Sequence, residues 1–248
     1  MSSVSGTAFF GIKSGGSMSK IIIIEDDEDI NQLLCKILSK EGYEVIPAYS
    51  GTEGRLRLEQ ELPDLILLDL MLPGMSGQEI TEYVRNEKQS NVPIIVLSAK
   101  TALESKVELI THGADDYITK PFEPQEVLVR VMAMLRRTVQ EKAQPPKEGT
   151  EEYRYKNLFL YTTSRKVVVK GTEIALTPHE YDILLLLLQQ PEKVFSRDSL
   201  YELVWNNGYL GEDNTVNVHI SNIRKKIAAV DSVEEYIKTV WGIGFKMA

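Results

Sequence analysis

Asp69 ends the apolar run Leu65-Ile66-Leu67-Leu68 and precedes Leu70-Met71-Leu72-Pro73-Gly74-Met75-Ser76-Gly77. A run of that length suits a strand buried on both faces, the pattern of a parallel sheet. Pro73, Gly74 and Gly77 then stop the strand and turn the chain. The carboxylate therefore stands at the carboxyl end of a central strand, where open α/β sheets place their ligand sites. Buried there without a partner it would be costly, so it needs a cation or a chemical task. Taken alone, such an Asp reads first as a helix cap.

Three more segments change that reading. Ile21-Ile22-Ile23-Ile24 runs into Glu25-Asp26-Asp27-Glu28-Asp29, and Pro93-Ile94-Ile95-Val96-Leu97 ends in Ser98-Ala99. Ala114-Asp115-Asp116-Tyr117-Ile118-Thr119 ends in Lys120-Pro121-Phe122. If all four are parallel strands of one sheet, three carboxylates, one hydroxyl and one ammonium converge at its carboxyl edge. Each piece alone is weak; the four in this order are not.

These residues resemble the pocket of a two-component receiver domain over residues 19–138. The chain after residue 18 resembles a response regulator of the OmpR/PhoB family. The resemblance implies a doubly wound, five-stranded parallel sheet of the flavodoxin/CheY-like kind. It makes Glu25 and Asp26 the acidic pair, Asp69 the phosphoacceptor, Ser98 and Lys120 its partners and Tyr117 the aromatic switch. Asp27 only flanks the pair. Magnesium (or manganese) would bind Asp26, Asp69, the backbone carbonyl of Met71 and, through water, Glu25, since Mg²⁺ prefers few carboxylates and keeps several waters. Phosphoryl transfer to a carboxylate needs mainly positioning and charge neutralisation. Lys120-Pro121 is expected to be cis, as the family has it. On phosphorylation Ser98 would move toward the phosphoryl oxygens and Tyr117 would swing inward, driving dimerisation.

Composition bounds the remainder. The 248 residues leave room for two ordinary domains, and 43% hydrophobic content is globular. The single cysteine, Cys35, excludes an internal disulfide and suits a reducing cytoplasm. It reads as a buried structural thiol in a helix. No apolar stretch approaches the roughly 20 residues of a membrane span. Residues 1–18 carry Gly and Ser without a basic or long apolar region, and read as a cloning leader or tag outside the fold. Residues 139–150, polar and holding Pro145-Pro146, read as a linker between the receiver and a second domain at 151–248. Residues 19–138 hold 13 Lys and Arg against 21 Asp and Glu, whereas 139–248 hold 14 against 15. The second half is less acidic but not basic, so charge alone leaves its partner open.

Its pattern points to DNA. Residues 155–160 and 166–169 bracket a turn at Thr162-Thr163-Ser164, a short β-meander. Thr177-Pro178-His179-Glu180 is a capping box that opens an apolar helix through residue 190. A second helix covers 196–205, Asn206-Asn207-Gly208 breaks it, and a third spans 213–227. A hairpin around Gly242-Ile243-Gly244 closes the chain. Strands, three helices and a terminal hairpin make an α+β winged helix-turn-helix, and Thr215-Val216-Asn217-Val218-His219-Ile220 with Ile223-Arg224-Lys225-Lys226 resembles the family's recognition helix.

At ~100° per residue, Val216, Ile220, Ile223 and Ile227 form one core stripe. Opposite lie Asn214, Val218, Ser221, Asn222 and Lys225, flanked by Asn217 and Arg224 on one side and His219 and Lys226 on the other. In a major groove Asn222 would read adenine and Val218 a thymine methyl, while His219, Arg224, Lys225 and Lys226 would position the backbone. Trp241 and Lys246 are the wing's candidate contacts. The family usually carries Arg where this chain has Asn214 and Trp241, and Asp where it has Asn217. Trp241 cannot make a charged minor-groove contact and is expected to pack against the domain. The bland alternative is that these cations form a solvated helix face.

The family dimerises through its fourth helix, fifth strand and fifth helix, here with Lys106, Asp115, Asp116, Glu126 and Arg130. Pairs such as Lys106–Glu126 and Asp116–Arg130 would cross the two-fold axis, unless these are ordinary surface charges. Met132 stands where relatives often have a basic residue. The implied partners are a sensor histidine kinase, promoter DNA bound as tandem direct repeats, RNA polymerase and a second copy of the chain. A haloacid-dehalogenase-like enzyme would need an acid where Met71 stands. An enzymatic output domain is disfavoured because residues 151–248 hold no Gly-x-Ser-x-Gly, Walker A loop or metal-ligand cluster. The intact acidic pocket argues against a regulator that ignores phosphorylation.

Overall fold

The computed structural model describes residues 18–99, 113–143, 152–205 and 215–248, with side chains of the long helix described through Leu135. Lys106, Asn214 and the leader 1–17 lie outside the described residues.

Five parallel strands form the first sheet: β1 (Lys20–Ile24), β2 (Glu44–Ala48), β3 (Leu65–Asp69), β4 (Ile94–Ser98) and β5 (Asp116–Thr119), in the order β2-β1-β3-β4-β5. Around them lie α1 (Glu28–Lys40), α2 (Gly51–Gln60), α3 (Gly77–Glu82, continued by a π turn at Tyr83–Glu87) and α4 (Pro124–Ala143). Strand alternation divides the apolar runs between two cores. Ile21, Ile23, Leu65, Leu67, Ile95 and Leu97 pack with α1 and α4, while Ile22, Ile24, Ile66, Leu68, Ile94 and Val96 pack with α2 and α3. That is why the runs are continuous rather than alternating.

Register aligns the strand ends. Ile24 pairs with Leu68, Asp69 with Leu97 and Ser98 with Thr119, so Glu25, Asp69, Ser98 and Lys120 reach one edge. α4 continues past the expected boundary at residue 138 to Ala143, so the first part of the expected linker is helical.

The second half opens with a four-stranded antiparallel meander, β6 (Glu152–Tyr155), β7 (Leu158–Tyr161), β8 (Lys166–Val169) and β9 (Thr172–Ile174). The outer two strands extend the short meander read from sequence. α5 (Pro178–Gln189), α6 (Arg197–Trp205) and α7 (Thr215–Ala228) follow, and the hairpin of β10 (Ile237–Val240) and β11 (Gly244–Met247) closes the domain. Val216, Ile220, Ile223 and Ile227 face this core as the periodicity predicts. Gly244 is required by proximity: a Cβ there would collide with the carbonyl oxygen of Phe195, whose backbone bridges to Phe245.

Candidate functional site

The acidic pocket is built by backbone before side chains. Asp27 caps α1, its carboxylate accepting from the Ile30 amide at 3.0 Å, which explains why it flanks the acidic pair. Asn31, fully buried on α1, donates to the carbonyls of Glu25 (2.9 Å) and Ala48 (3.1 Å) and so fixes the loop that carries the pair. On the β3 side the Met71 amide donates to Asp69 Oδ1 at 3.0 Å, leaving the other oxygen toward the pocket. Gly77 packs so close beneath that a Cβ would collide with the Asp69 carbonyl oxygen.

Lys120 closes the pocket from the end of β5. Its ammonium donates to Glu25 Oε1 (2.8 Å) and Oε2 (2.6 Å) and to Asp69 Oδ2. The peptide that follows, Lys120-Pro121, is cis, and the Lys120 amide donates to the Ser98 carbonyl at 2.7 Å. Ser98 is buried at the same edge, whereas Asp26 is exposed. Carboxylate oxygens of Glu25, Asp26 and Asp69 lie within 4.8 Å of one another, an all-oxygen donor set that fits a hard divalent cation. Burial pushes the Glu25 carboxyl up to about 7, against the opposing pull of the Lys120 ammonium and helped by the Asp69 charge. Burial alone would lower Lys120, but its two carboxylate partners outweigh it and hold the ammonium above its ordinary range. Glu25, Asp26, Asp69, Ser98 and Lys120 thus meet as expected.

Asp115, Asp116, Glu126 and Arg130, expected at a dimer face, have partners within the chain. Arg85 Nη2 meets Asp115 Oδ2 at 2.9 Å, and its remaining donors hold the carbonyls of Gly113 (2.9 Å), Ser90 (2.8 Å) and Val92 (2.8 Å). Asp115 is buried, which lifts its carboxyl to about 6 despite Arg85 beside it. Arg130 Nη1 bonds Asp116 Oδ2 at 2.8 Å and Arg130 Nη2 bonds Glu126 at 3.0 Å. The Asp116–Arg130 pair expected across a two-fold axis forms here in cis, because α4 lays Arg130 directly over β5. The reading of these as surface charges fails for Asp115, Asp116 and Arg130, all buried.

α7 also differs from its helical projection. Ser221 and Lys225 are exposed, but Thr215, Val218, His219 and Asn222 are buried. The single stripe read from periodicity cannot see surfaces that the rest of the chain lays over other faces of the helix. Arg224 donates to the Ile237 carbonyl (2.7 Å from Nη2) and to Thr239 Oγ1 (2.9 Å), tying α7 to the wing rather than facing outward. Lys226 bonds Glu180 Oε2 at 2.6 Å, while Glu180 also accepts from the Thr177 amide at 2.9 Å. Lys246 reaches Glu192 at 3.4 Å. Trp241, expected to pack, is 91% exposed at the hairpin tip, with Ile243 beside it 60% exposed. The tip extends past the sheet, so neither side chain has a surface to cover it.

The cover over α7 includes the first domain. The carbonyl of Asp115 accepts from His179 Nδ1 at 2.9 Å and from His219 Nε2 at 3.2 Å. A carbonyl only accepts, so both ring nitrogens carry protons. His179 packs on Trp205 with ring centroids 4.1 Å apart, and His219 lies 5.4 Å from the same ring. Burial holds His219 below the ordinary histidine range. Sequence reasoning missed Asn31, Arg85 and His179. Asn31 alone left a signal, a polar residue in the buried stripe of α1 with Leu34 and Leu38.

Comparison with known proteins agrees with this geometry. A family model described as response regulator receiver domain matches residues 21–132, and one described as transcriptional regulatory protein, C terminal, matches residues 171–247. The transcriptional regulatory protein SrrA of Staphylococcus aureus is 41% identical over 235 residues, covering 92% of this chain and 95% of its own. The regulatory protein VanRc of Enterococcus gallinarum is 38% identical over 226 residues, covering 91% and 97%. A solved structure of a RitR mutant superposes with a TM-score of 0.72 at 30% identity, covering 93% of this chain and 99% of that one. Among the described residues no helix is long and apolar enough to cross a membrane.

Proposed function

The chain belongs to the OmpR/PhoB family of response regulators, transcriptional regulators that join a receiver to a DNA-binding domain, and from that premise we propose that Asp69 is its phosphoacceptor. One observation carries the reading: a single ammonium, Lys120, bonds both Glu25 and Asp69 beside the exposed Asp26. Glu25, Asp26, Asp69 and the Met71 carbonyl would hold Mg²⁺ or Mn²⁺, which when bound neutralises charge on the incoming phosphoryl oxygens.

The protein's own part is positional. The Met71 amide fixes one oxygen of Asp69, so the other attacks phosphorus along a defined line. The bond from the donor's imidazole nitrogen to phosphorus breaks as the Asp69 oxygen–phosphorus bond forms. Lys120 then transfers its contact from the carboxylate to the new phosphoryl oxygens, and Ser98 supplies a hydroxyl donor. The donor is a sensor histidine kinase. The phosphorylated receiver pairs with a second copy through the face of Lys106, Asp115, Asp116, Glu126 and Arg130. α7 and the wing then read promoter DNA and engage RNA polymerase; the only enzymatic act is phosphotransfer to, and hydrolysis from, Asp69. The relatives' names as transcriptional regulatory proteins support this reading.

Incubation with acetyl phosphate, followed by intact-mass measurement, tests it. One phosphoryl group should appear with Mg²⁺ and none with chelator or in Asp69→Asn. Labelling of Asp69→Asn at the wild-type level would overturn the assignment.

A further inference from the structure

We infer that Asn31 is a positioning residue for the cation of the acidic pocket and sets the pocket's preference for magnesium over calcium. The inference rests on the proposal that Glu25, Asp26 and Asp69 hold the metal, and names what keeps their spacing fixed.

The carboxylates stand on unequal supports. Asp69 ends β3, which is hydrogen-bonded to β1 on one side and β4 on the other, so the sheet fixes its place. Glu25 and Asp26 stand instead on a short loop between the end of β1 and Asp27, the cap of α1. That loop is tied down from below. The Glu25 amide donates to the Ala48 carbonyl of β2 at 3.0 Å. Asn31 Nδ2 donates to the Glu25 carbonyl at 2.9 Å and to the same Ala48 carbonyl at 3.1 Å. Both partners only accept, so the amide nitrogen must face them, and Asn31 Oδ1 accepts from the Cys35 thiol at 3.4 Å. The Glu25 carbonyl belongs to the planar peptide that joins Glu25 to Asp26. One buried side chain on α1 therefore orients the unit from which both carboxylates project.

Rigidity at that point bears on the choice of ion. Magnesium demands a near-octahedral shell at about 2.0–2.1 Å, whereas calcium accepts roughly six to eight oxygens at about 2.3–2.6 Å in flexible geometry. A loop that can drift still serves calcium but no longer meets the tighter requirement of magnesium. Asn31 is fully buried, so removing its amide leaves two carbonyls unsatisfied beneath the pocket. The loop regains their hydrogen bonds only by moving toward water. That movement carries Glu25 and Asp26 away from Asp69, whose position the sheet still holds.

Nuclear magnetic resonance titrations of the full chain with MgCl₂ and, separately, CaCl₂ read both affinities without any phosphoryl donor. Asn31→Ala should weaken Mg²⁺ binding at least tenfold and Ca²⁺ binding less than threefold. Cys35→Ala removes a neighbouring group of the same helix but spares both carbonyl bonds, so it should keep the wild-type ratio of the two affinities. Asn31→Ser, whose hydroxyl can hold one carbonyl, should give an intermediate ratio and replaces Asn31→Ala if that variant folds poorly. A loss for Ca²⁺ as large as for Mg²⁺, or no loss for either, would overturn the assignment, as would a Cys35→Ala protein whose ratio shifts as far. Failure of the underlying reading looks different: Asp26→Asn would then bind Mg²⁺ as tightly as wild type.

Discussion

Asp115 and Lys120 bracket the four-residue strand β5, the first offering its carbonyl to two histidines of the DNA-binding domain and the second its ammonium to Asp69. A strand in a packed sheet moves as a unit rather than bending residue by residue. Lys120→Ala should therefore leave Asp69 able to take up a phosphoryl group while uncoupling that event from the rest of the chain. The measurement is dual: intact mass after acetyl phosphate, and DNA affinity of the same sample. A Lys120→Ala protein whose DNA affinity still rises on phosphorylation would refute this role for the ammonium.

Arg85 holds the entry to the same strand, with four bonds to Asp115, Gly113, Ser90 and Val92. Removing one partner of a buried pair leaves the other charge uncompensated, which typically costs about 3–5 kcal/mol. Arg85→Met should lower receiver stability by about that much in urea titrations. Arg85→Met with Asp115→Asn should recover part of the loss, since the stranded charge is then gone. Additive losses in the double variant would contradict the pairing argument.

Gly77 offers a steric counterpart. Its backbone lies against the Asp69 carbonyl, where no Cβ fits, and its amide donates to the Leu70 carbonyl at 3.0 Å. Gly77→Ala must displace either α3 or the end of β3, so phosphorylation by acetyl phosphate should slow at least tenfold even in protein that remains folded by circular dichroism. Normal labelling kinetics would show that the loop relaxes at no cost to Asp69.

Much of this was legible because it is local. An apolar run closed by a polar residue and a turn marks both a strand and the edge on which its last side chain stands, so the sequence alone gathers Glu25, Asp69, Ser98 and Lys120 at one edge. Arg85 could not, since its partner Asp115 is thirty residues away and nothing near either names the other. β6 alternates only over Glu-Tyr-Arg-Tyr, with its tyrosines half-buried, and β9 has three residues with one buried, so each is too short for its pattern to stand out. The exposure of α7 departs from its helical projection for a physical reason. A helical projection finds the stripe buried in its own domain and assigns all else to solvent, while Val218, His219 and Asn222 are buried on other sides. Arg224 and Lys226, read as phosphate contacts, bond the wing and Glu180 within the chain, which a helical projection does not reveal.

Asp231 governs the acid limit of the second domain. Its buried carboxylate accepts from Lys170 (2.9 Å), Asn157 (3.2 Å) and Tyr236 (2.9 Å), and these partners, Lys170 first, hold it well below the usual carboxylate range. A group whose pKa is depressed on folding adds stability above its unfolded pKa, near 4, and loses it as pH falls toward the folded value. The melting temperature of this domain should be flat from neutral to about pH 5 and fall below pH 4. Asp231→Asn should start lower and show a shallower fall. An Asp231→Asn protein with the wild-type acid profile would assign the acid sensitivity elsewhere.

On α7 the exposed cation is Lys225, whereas Arg224 is committed to the Ile237 carbonyl and Thr239 of the wing. The two should therefore fail in different ways. Lys225→Ala should weaken all duplexes alike and reduce the slope of log affinity against log salt by about one unit, the signature of one lost phosphate contact. Arg224→Ala should loosen the hairpin, lower the melting temperature and weaken binding with little change of slope. Asn222→Ala should relax preference at one base position by about 1–3 kcal/mol. Titrations of phosphorylated protein over a salt series, on specific and scrambled duplexes, separate the three. If Arg224→Ala instead flattens the salt slope at unchanged melting temperature, its guanidinium leaves the wing to meet DNA.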